Sequence, residues 1–425
     1  MSSTTFVILS FEGPDPYSHA GGLGTRVTGL SETLATLGFE THLCFIGDPN
    51  KPGLEFTHEG KLALHRWCQW ISSHHPLGVY DGEEAKLYDW NRSLPSWLEA
   101  EIIAPKTAAG GSVVIMAEEW QTANSVQALN RILASTEGRD SVLLLWNANN
   151  TFSFHRIDWD ALEKAATITT VSRYMRQVMR EVDIDARVVP NGIPESWLKP
   201  VDRKNSLDLR RLFHDRLVLI KMARWDPDKR WEMAVDAVAE LKRLEFKPLF
   251  LARGGQERQA YGDQILERAE GRGLRLSYTP GVGASSIDSM AEALQSALDA
   301  DMVVLQDYVN DEQRKLLFRV ANAVLANSGI EPFGLVGLET MASGGVAFIG
   351  ATGEDYATPG YDAISLQTDD PHEIVRYAAH LHDFRDAPRR LRRAARRSAE
   401  RYTWPAVIKR VLFPLVEEMG IPLRP

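Results

Sequence analysis

Two carboxylates, Glu331 and Glu339, stand with seven residues between them in the stretch VLANSGIEPFGLVGLETMASGGVAFIG, Val324 to Gly350. The pattern reads as buried strand, polar loop, helix and second buried strand. A helix opening near Gly334 turns the backbone N–H groups of Phe333, Gly334, Leu335 and Val336 toward the mouth of the loop, where a phosphate can be held. Glu331, just before that mouth, can accept hydrogen bonds from hydroxyls beside the phosphate. Glu339, in the first turns of the helix, can reach a second polyol. A diphosphate flanked by two polyols is the shape of a nucleotide-sugar. A second pair, Arg224 and Lys229, lies five residues apart in the loop after the apolar run LVLIKMA. A guanidinium fork and a compact ammonium at a strand end suit a diphosphate.

The elements around these residues alternate strand and helix. TFVILSF, Thr5 to Phe11, is a buried strand, and EGPDPYSHAGGLG is its loop. A helix follows with Val27, Leu30, Leu34 and Leu37 on one face, ended by Gly38, and THLCFIG is the next strand. This is a β-loop-α-β unit of a parallel sheet. Gly21, Gly22 and Gly24 let its loop approach a ligand or pack closely on the strand, but they do not form the G-x-G-x-x-G dinucleotide fingerprint. Strands are expected at Gly111 to Ala117, ending in Glu118 and Glu119, and at Ser141 to Trp146. Carboxylates at a strand's C-terminal end face the ligand side of an α/β sheet, so Glu118 and Glu119 can bind hydroxyls. Residues 50 to 105 show less regularity; Trp67, Trp70, Trp90 and Trp97 are either a carbohydrate-stacking surface or core and edge aromatics. Ser172 is a helix cap candidate. Pro190, Pro194 and Pro200 with a charged run mark a linker. The division expected is 1–197, 198–400 and a returning segment 401–425.

Composition narrows the field. The chain has 425 residues, 44% hydrophobic and 25% charged, with a net charge of −9. That is ample for two globular cores, and no global basic field favours nucleic acid as partner. No apolar run approaches the roughly 18 residues that span a bilayer. MSSTTFVILSFEG reads as a first strand rather than a signal peptide. Cys44 and Cys68 are expected as buried free thiols in a reducing cytoplasm. The basic run Pro388 to Arg401 leaves a peripheral contact with an anionic membrane surface open, although a solvated helix face is the better account.

E-P-F-G-L-x-x-x-E-x-M-A-x-G resembles the signature of retaining glycosyltransferases of the two-domain B fold, the superfamily of glycogen and sucrose synthases. G-G-L-G, E-E-W-x-T-A, T-V-S-x-x-M, P-N-G-I and R-W-D-P-D-K follow in the same family order along most of the chain. The resemblance implies an α/β architecture of two doubly wound, Rossmann-like sheet domains facing a cleft. It implies donor-sugar contact for Glu331, ribose contact for Glu339, and diphosphate contact for Arg224, Lys229 and the amides of Phe333 to Val336. Gly21 and Gly22 fall near the donor phosphates. His19 stands where the polysaccharide synthases have a lysine, and a neutral imidazole is a weaker phosphate partner. Glu118 and Glu119 replace a His-Asp pair. Asn147 stands where glycogen-synthase-like members place a histidine; Asn147, Asn149 and His155 are all candidates for its role. The expectation is a metal-independent hexosyltransferase, with glucose the expected sugar, moving it from a nucleoside diphosphate to a hydroxyl acceptor without a cofactor. A glucan synthase, a sugar-nucleotide epimerase or hydrolase, and a non-catalytic carbohydrate-binding relative are the alternatives.

Overall fold

Apolar strands alternating with amphipathic helices give two parallel sheets in the computed structural model, which describes residues 3–136, 138–255, 258–279, 287–384 and 386–425. The chain divides into two compact units, Met1–Pro194 with Thr403–Pro425, and Glu195–Tyr402. The crossings thus fall at 194/195 and 402/403, beside the 197/198 and 400/401 expected from the proline-rich linker and the basic helix.

The first unit contains β1 (Thr4–Leu9), β2 (Glu40–Ile46), β3 (Leu54–Thr57), β4 (Leu62–Trp67), β5 (Ser112–Glu118), β6 (Val142–Ala148), β7 (Thr167–Thr170) and β8 (Arg187–Val188). Their order in the sheet is β3-β4-β2-β1-β5-β6-β7-β8. All pairings are parallel except that of β3 with β4. β1 and β5 are central and buried along their whole length, as near-continuous apolar strands covered on both faces must be. The helix Gly22–Thr36 buries Val27, Leu30 and Leu34. Gly38 ends the chain's helical path with φ of +97°, a left-handed conformation open to glycine. The last residues complete this unit. Phe413 stacks on Phe6 at 6.4 Å and meets Phe39 edge-on at 5.3 Å. The Trp404 indole lies so close to Gly29 and Gly192 that a Cβ there would come within 2.1 and 2.6 Å of it.

Residues 50 to 105 prove regular. They hold the β3–β4 hairpin and the helix Glu83–Leu98. Their dense aromatics and histidines hide the two-residue period that would have announced the strands. Trp90 is fully buried against Phe11, and Trp67 and Trp97 pack edge to face at 5.1 Å. Only Trp70 of the four is exposed. This aromatic group is therefore chiefly packing.

The second unit contains β9 (Leu217–Met222), β10 (Pro248–Arg253), β11 (Leu276–Thr279), β12 (Met302–Leu305), β13 (Ala323–Ala326), β14 (Ala347–Ile349) and β15 (Ile364–Ser365). The order β11-β12-β10-β9-β13-β14-β15 is parallel throughout. Connections after β9 and β13 therefore emerge side by side at one end of the sheet, because those strands are neighbours. Ligands of open α/β sheets bind at that C-terminal end. Among the described residues, no helix is long and apolar enough to cross a membrane, and Cys44 and Cys68 are buried and free.

Candidate active site

Adjacency of β9 and β13 brings together two loops far apart in sequence. Lys229 Nζ donates to Glu331 Oε2 at 2.5 Å, and both side chains are mostly buried. The sequence suggests separate duties for these residues; the fold makes them an ion pair. Asp226 begins the Lys229 turn by accepting from the Asp228 amide. The Gly329 amide then donates to Asp228 O at 2.7 Å, tying the two loops together. Arg224 stands exposed at the end of β9, its carbonyl accepting from the Trp231 indole at 2.8 Å. Trp225 packs against Gly254, where a Cβ would fall 1.9 Å from the indole, so the Gly254-Gly255 turn is needed to let this loop close.

The Glu331 loop is braced from behind. Thr352 Oγ1 accepts from the Glu331 amide at 3.0 Å and donates to the Glu331 carbonyl at 3.1 Å. Tyr356 donates its hydroxyl to Gly334 O at 2.6 Å, and its ring meets Phe333 edge-on. The helix Leu335–Ala342 starts here, with Gly334 as its cap residue. Of the amides expected at its mouth, that of Leu335 bonds back to Phe333 O at 3.0 Å. Glu339 sits on the buried side of this helix, 3.2 Å from Arg314 Nη1. Burial pushes its carboxyl up to about 7, against the pull of the Arg314 guanidinium. Glu354 is likewise pushed up to about 7 by burial, with one carboxyl oxygen accepting from the Thr352 amide and the other lacking a partner among the described residues.

Two participants escape the sequence reading. Arg314 lies in the helix Asp311–Val320, stacked on Trp197 at 5.2 Å, and nothing in the local pattern links it to Glu339. Lys221 is fully buried in β9 and donates to Asn327 Oδ1 at 2.6 Å and Leu325 O at 3.2 Å. Burial, reinforced by Lys229, drives its pKa down. A lone lysine inside the apolar run LVLIKMA was the signal available for it.

In the first unit, the glycine loop is already furnished with an anion. Glu12 Oε2 accepts from the amides of Ala20, Gly21 and Gly24 at 3.1, 2.9 and 2.9 Å, and Tyr80 donates to Glu12 Oε1 at 2.7 Å. The Gly21 amide, expected to face donor phosphate, is thus committed to Glu12. A Cβ at Gly21 or Gly22 would meet nothing within 4 Å, so packing does not demand glycine at either. His19 is exposed, its ring 3.3 Å from the Thr25 hydroxyl.

The strand-end residues divide sharply. Glu118 has no exposed side-chain surface; it accepts from Arg26 at 3.0 Å and from the amides of Asn147 and Asn149 at 2.8 Å each. Arg26 reaches on to Asn191 Oδ1 at 2.8 Å, and Asn147 Oδ1 accepts from Thr169 at 2.9 Å. Glu118 and Asn147, expected to meet sugar hydroxyls, instead form an internal network, because their polar atoms are spent on one another beneath the surface. Glu119 differs. Its φ of 68° and ψ of 167° are strained for a residue with a side chain. Burial pushes its carboxyl up to about 8, with the Glu118 charge adding to the effect. One oxygen accepts from the Asn149 amide at 2.6 Å. A buried, strained, protonated carboxyl at a parallel strand's C-terminal end is the kind of group that reaction sites contain. His155 lies exposed in the short turn Phe154–Arg156, outside the Glu118 network.

Two parallel-sheet α/β units of this kind constitute the B fold of the glycosyltransferases. Residues 202–398, nearly all of the second unit, match the family model "Glycosyl transferases group 1". A mannosylfructose-phosphate synthase of Agrobacterium fabrum is 24% identical over 159 residues, 37% of this chain and only 30% of that protein. A sucrose-phosphate synthase from Thermosynechococcus elongatus superposes with a TM-score of 0.67 at 19% identity, covering 98% of this chain and 99% of that one. Alr3699/HepE of Anabaena, solved with UDP-glucose, gives 0.63 at 13% identity over 97% and 99% of the two chains. At these identities the structural likenesses speak for the fold.

Proposed function

We propose that the protein is a retaining, metal-independent hexosyltransferase that takes a glucosyl group from a nucleoside diphosphate sugar and gives it to a hydroxyl acceptor. The observation that carries this reading is the Lys229–Glu331 pair at the mouth of the Leu335–Ala342 helix, with Glu339 of that helix held by Arg314 of the Asp311–Val320 helix. An arriving diphosphate offers Lys229 a denser negative charge than Glu331 does. The ammonium turns to the phosphate, and Glu331 is freed to accept hydrogen bonds from sugar hydroxyls. Arg224 and the helix N-terminus add to the stabilisation of the leaving group. Glu339 is suited to a vicinal diol such as a ribose.

In the reaction, the bond from the anomeric carbon to the diphosphate oxygen breaks with its electron pair going to that oxygen. The acceptor oxygen bonds to the same face of the carbon, and its proton passes to the leaving phosphate. No cofactor takes part. Acceptor recognition is assigned to strand-end groups of the first unit around Glu119, and the two buried free thiols suit a reducing cytoplasm.

The test is a thermal-shift series with UDP, GDP, ADP, TDP and their glucose esters, with and without magnesium. Ligand at about a hundred times its dissociation constant adds about 2.7 kcal/mol to folding stability. A shift with one nucleotide, independent of magnesium and absent in Lys229→Ala, supports the reading and names the base. Proton NMR of the product then reports the anomeric configuration, and inversion would overturn the retaining assignment. Flat curves from folded protein would favour a binding module with another ligand.

A further inference from the structure

A cavity of about 720 Å³ in the second unit opens at the other end of the sheet from Lys229 and Glu331. Val218 near the start of β9, Asn322 just before β13, and Gly344 beyond the Leu335–Ala342 helix are in its wall. Its remaining wall is largely arginine: Arg210 from the helix Arg203–Leu212, Arg319 from Asp311–Val320, and Arg389, Arg392, Arg393 and Arg396 from Asp386–Ala399. The spacing of those four on one helix is three, one and three residues, so they share a face.

Capping of the Asp311–Val320 helix accounts for only part of this charge. Arg392 donates to Arg319 O at 3.0 Å and to Ala321 O at 2.5 Å, and Arg210 reaches Arg319 O at 3.5 Å. These bonds satisfy carbonyls at a helix C-terminus, where cations belong. They do not neutralise the arginines. Among the described residues, Asp215 is the one acidic residue in the wall, and it faces His214 at 3.2 Å. Arg389 lies 3.5 Å from Asp386 on its own helix, with both side chains exposed. Arg392 Nε is buried without a hydrogen-bond partner among the described residues. Burial first, then the charges of Arg210 and Arg319, pull its pKa down to about 9. Cations gathered in a concavity that Asp215 alone cannot neutralise repel one another unless an anion joins them.

We propose that this cavity is a binding site for a phosphate-bearing anion, separate from the donor site. Guanidinium forks match phosphate oxygens in pairs, and the volume accepts a phosphate ester as readily as the bare ion. The site touches the donor helix at its far end: Arg319 Nη1 donates to Gly344 O at 2.7 Å, just past that helix's C-terminus. An anion that draws Arg319 into the cavity competes with this bond. A soluble phosphate ester and a lipid phosphate headgroup share the required chemistry.

The experiment uses the full chain, the exposed pair Arg389→Glu/Arg393→Glu, and Lys229→Ala. Calorimetric titration with inorganic phosphate tests the soluble source. Co-sedimentation with phosphatidylcholine vesicles, with and without phosphatidic acid, tests the lipid source. Phosphate affinity that falls roughly tenfold or more in the double variant, and is unchanged in Lys229→Ala, is the expected result. Sedimentation only with phosphatidic acid vesicles, lost in the double variant, supports the same site with a lipid ligand. Circular dichroism melts keep misfolding apart from lost binding. Absence of both interactions, or phosphate binding that follows Lys229 or ignores the double substitution, would overturn the proposal.

Discussion

Glu119 carries the clearest pH signature in the first unit. An unfolded glutamate ionises near 4.5, whereas burial holds the Glu119 carboxyl up to about 8. Between those values the folded chain binds the extra proton. The stability from this group is fully present below the unfolded pKa and is lost as pH rises through the folded one. Unfolding free energy should therefore fall by an amount on the order of a few kcal/mol across that window, with Glu339 and Glu354 acting in the same direction. Urea unfolding at about pH 5 and about pH 8.5 measures it, and Glu119→Gln should flatten the difference. An unchanged slope would remove Glu119 from the account. At the donor site, Lys229→Ala is expected to lower transfer by about a hundredfold or more with little loss of folding, since its ammonium is assigned to charge that develops on the leaving group. Steady-state kinetics on purified variants decide this; a variant with full activity would end the assignment. The motif residues were legible because one short stretch carries both glutamates and the helix mouth between them. Glu118 and Asn147 were not, because their partners Arg26, Asn191 and Thr169 come from a helix, a loop and another strand, and only the folded unit brings them into reach.

The loop 352–356 is the element that sets the Glu331 corner. Gly353 lies against it so closely that a Cβ would sit 2.2 Å from Pro332 O and 2.3 Å from Glu331 O. Both are backbone atoms and cannot rotate away. Gly353→Ala should displace the Glu331 loop and lower nucleotide affinity by roughly tenfold or more, with destabilisation of about 1–3 kcal/mol. Gly22→Ala is the contrast, since its Cβ meets open space; folding should be unchanged. Titration calorimetry with the nucleotide found by thermal shift compares the two. Equal affinities in Gly353→Ala and the parent would show that the brace has no part in donor binding. Sequence periodicity gave away most of these elements, including the Ser172 cap, whose hydroxyl accepts from the Met175 amide at 3.1 Å. It did not give the wide helical turns Glu99–Ile103 and Ile408–Leu412. Each precedes a proline, Pro105 and Pro414, that has no amide to donate, and a local widening accommodates the ring.

At the scale of the molecule, the first unit is built from both ends of the chain. β1 is near its middle, yet the Thr4 amide donates to Arg424 O at 2.7 Å, and Trp404, Phe413 and Val416 belong to its core. Trp404→Ala should cost about 3–5 kcal/mol, because a fully buried indole leaves a cavity that Gly29 and Gly192 cannot fill. Hydrogen exchange should place the loss of protection in residues 4–46 and 187–194 and spare the second unit; uniform loss would contradict the division. The returning segment also governs the order of events during synthesis. A ribosome that has made the first 194 residues has made an unfinished sheet, whose missing aromatic plug lies more than two hundred codons downstream. The second unit, continuous from 195 to 402, has its whole sequence emerging in one run. The unit translated first is thus completed after the other, and until residues 403–425 have emerged its apolar groove stays open to non-native contacts.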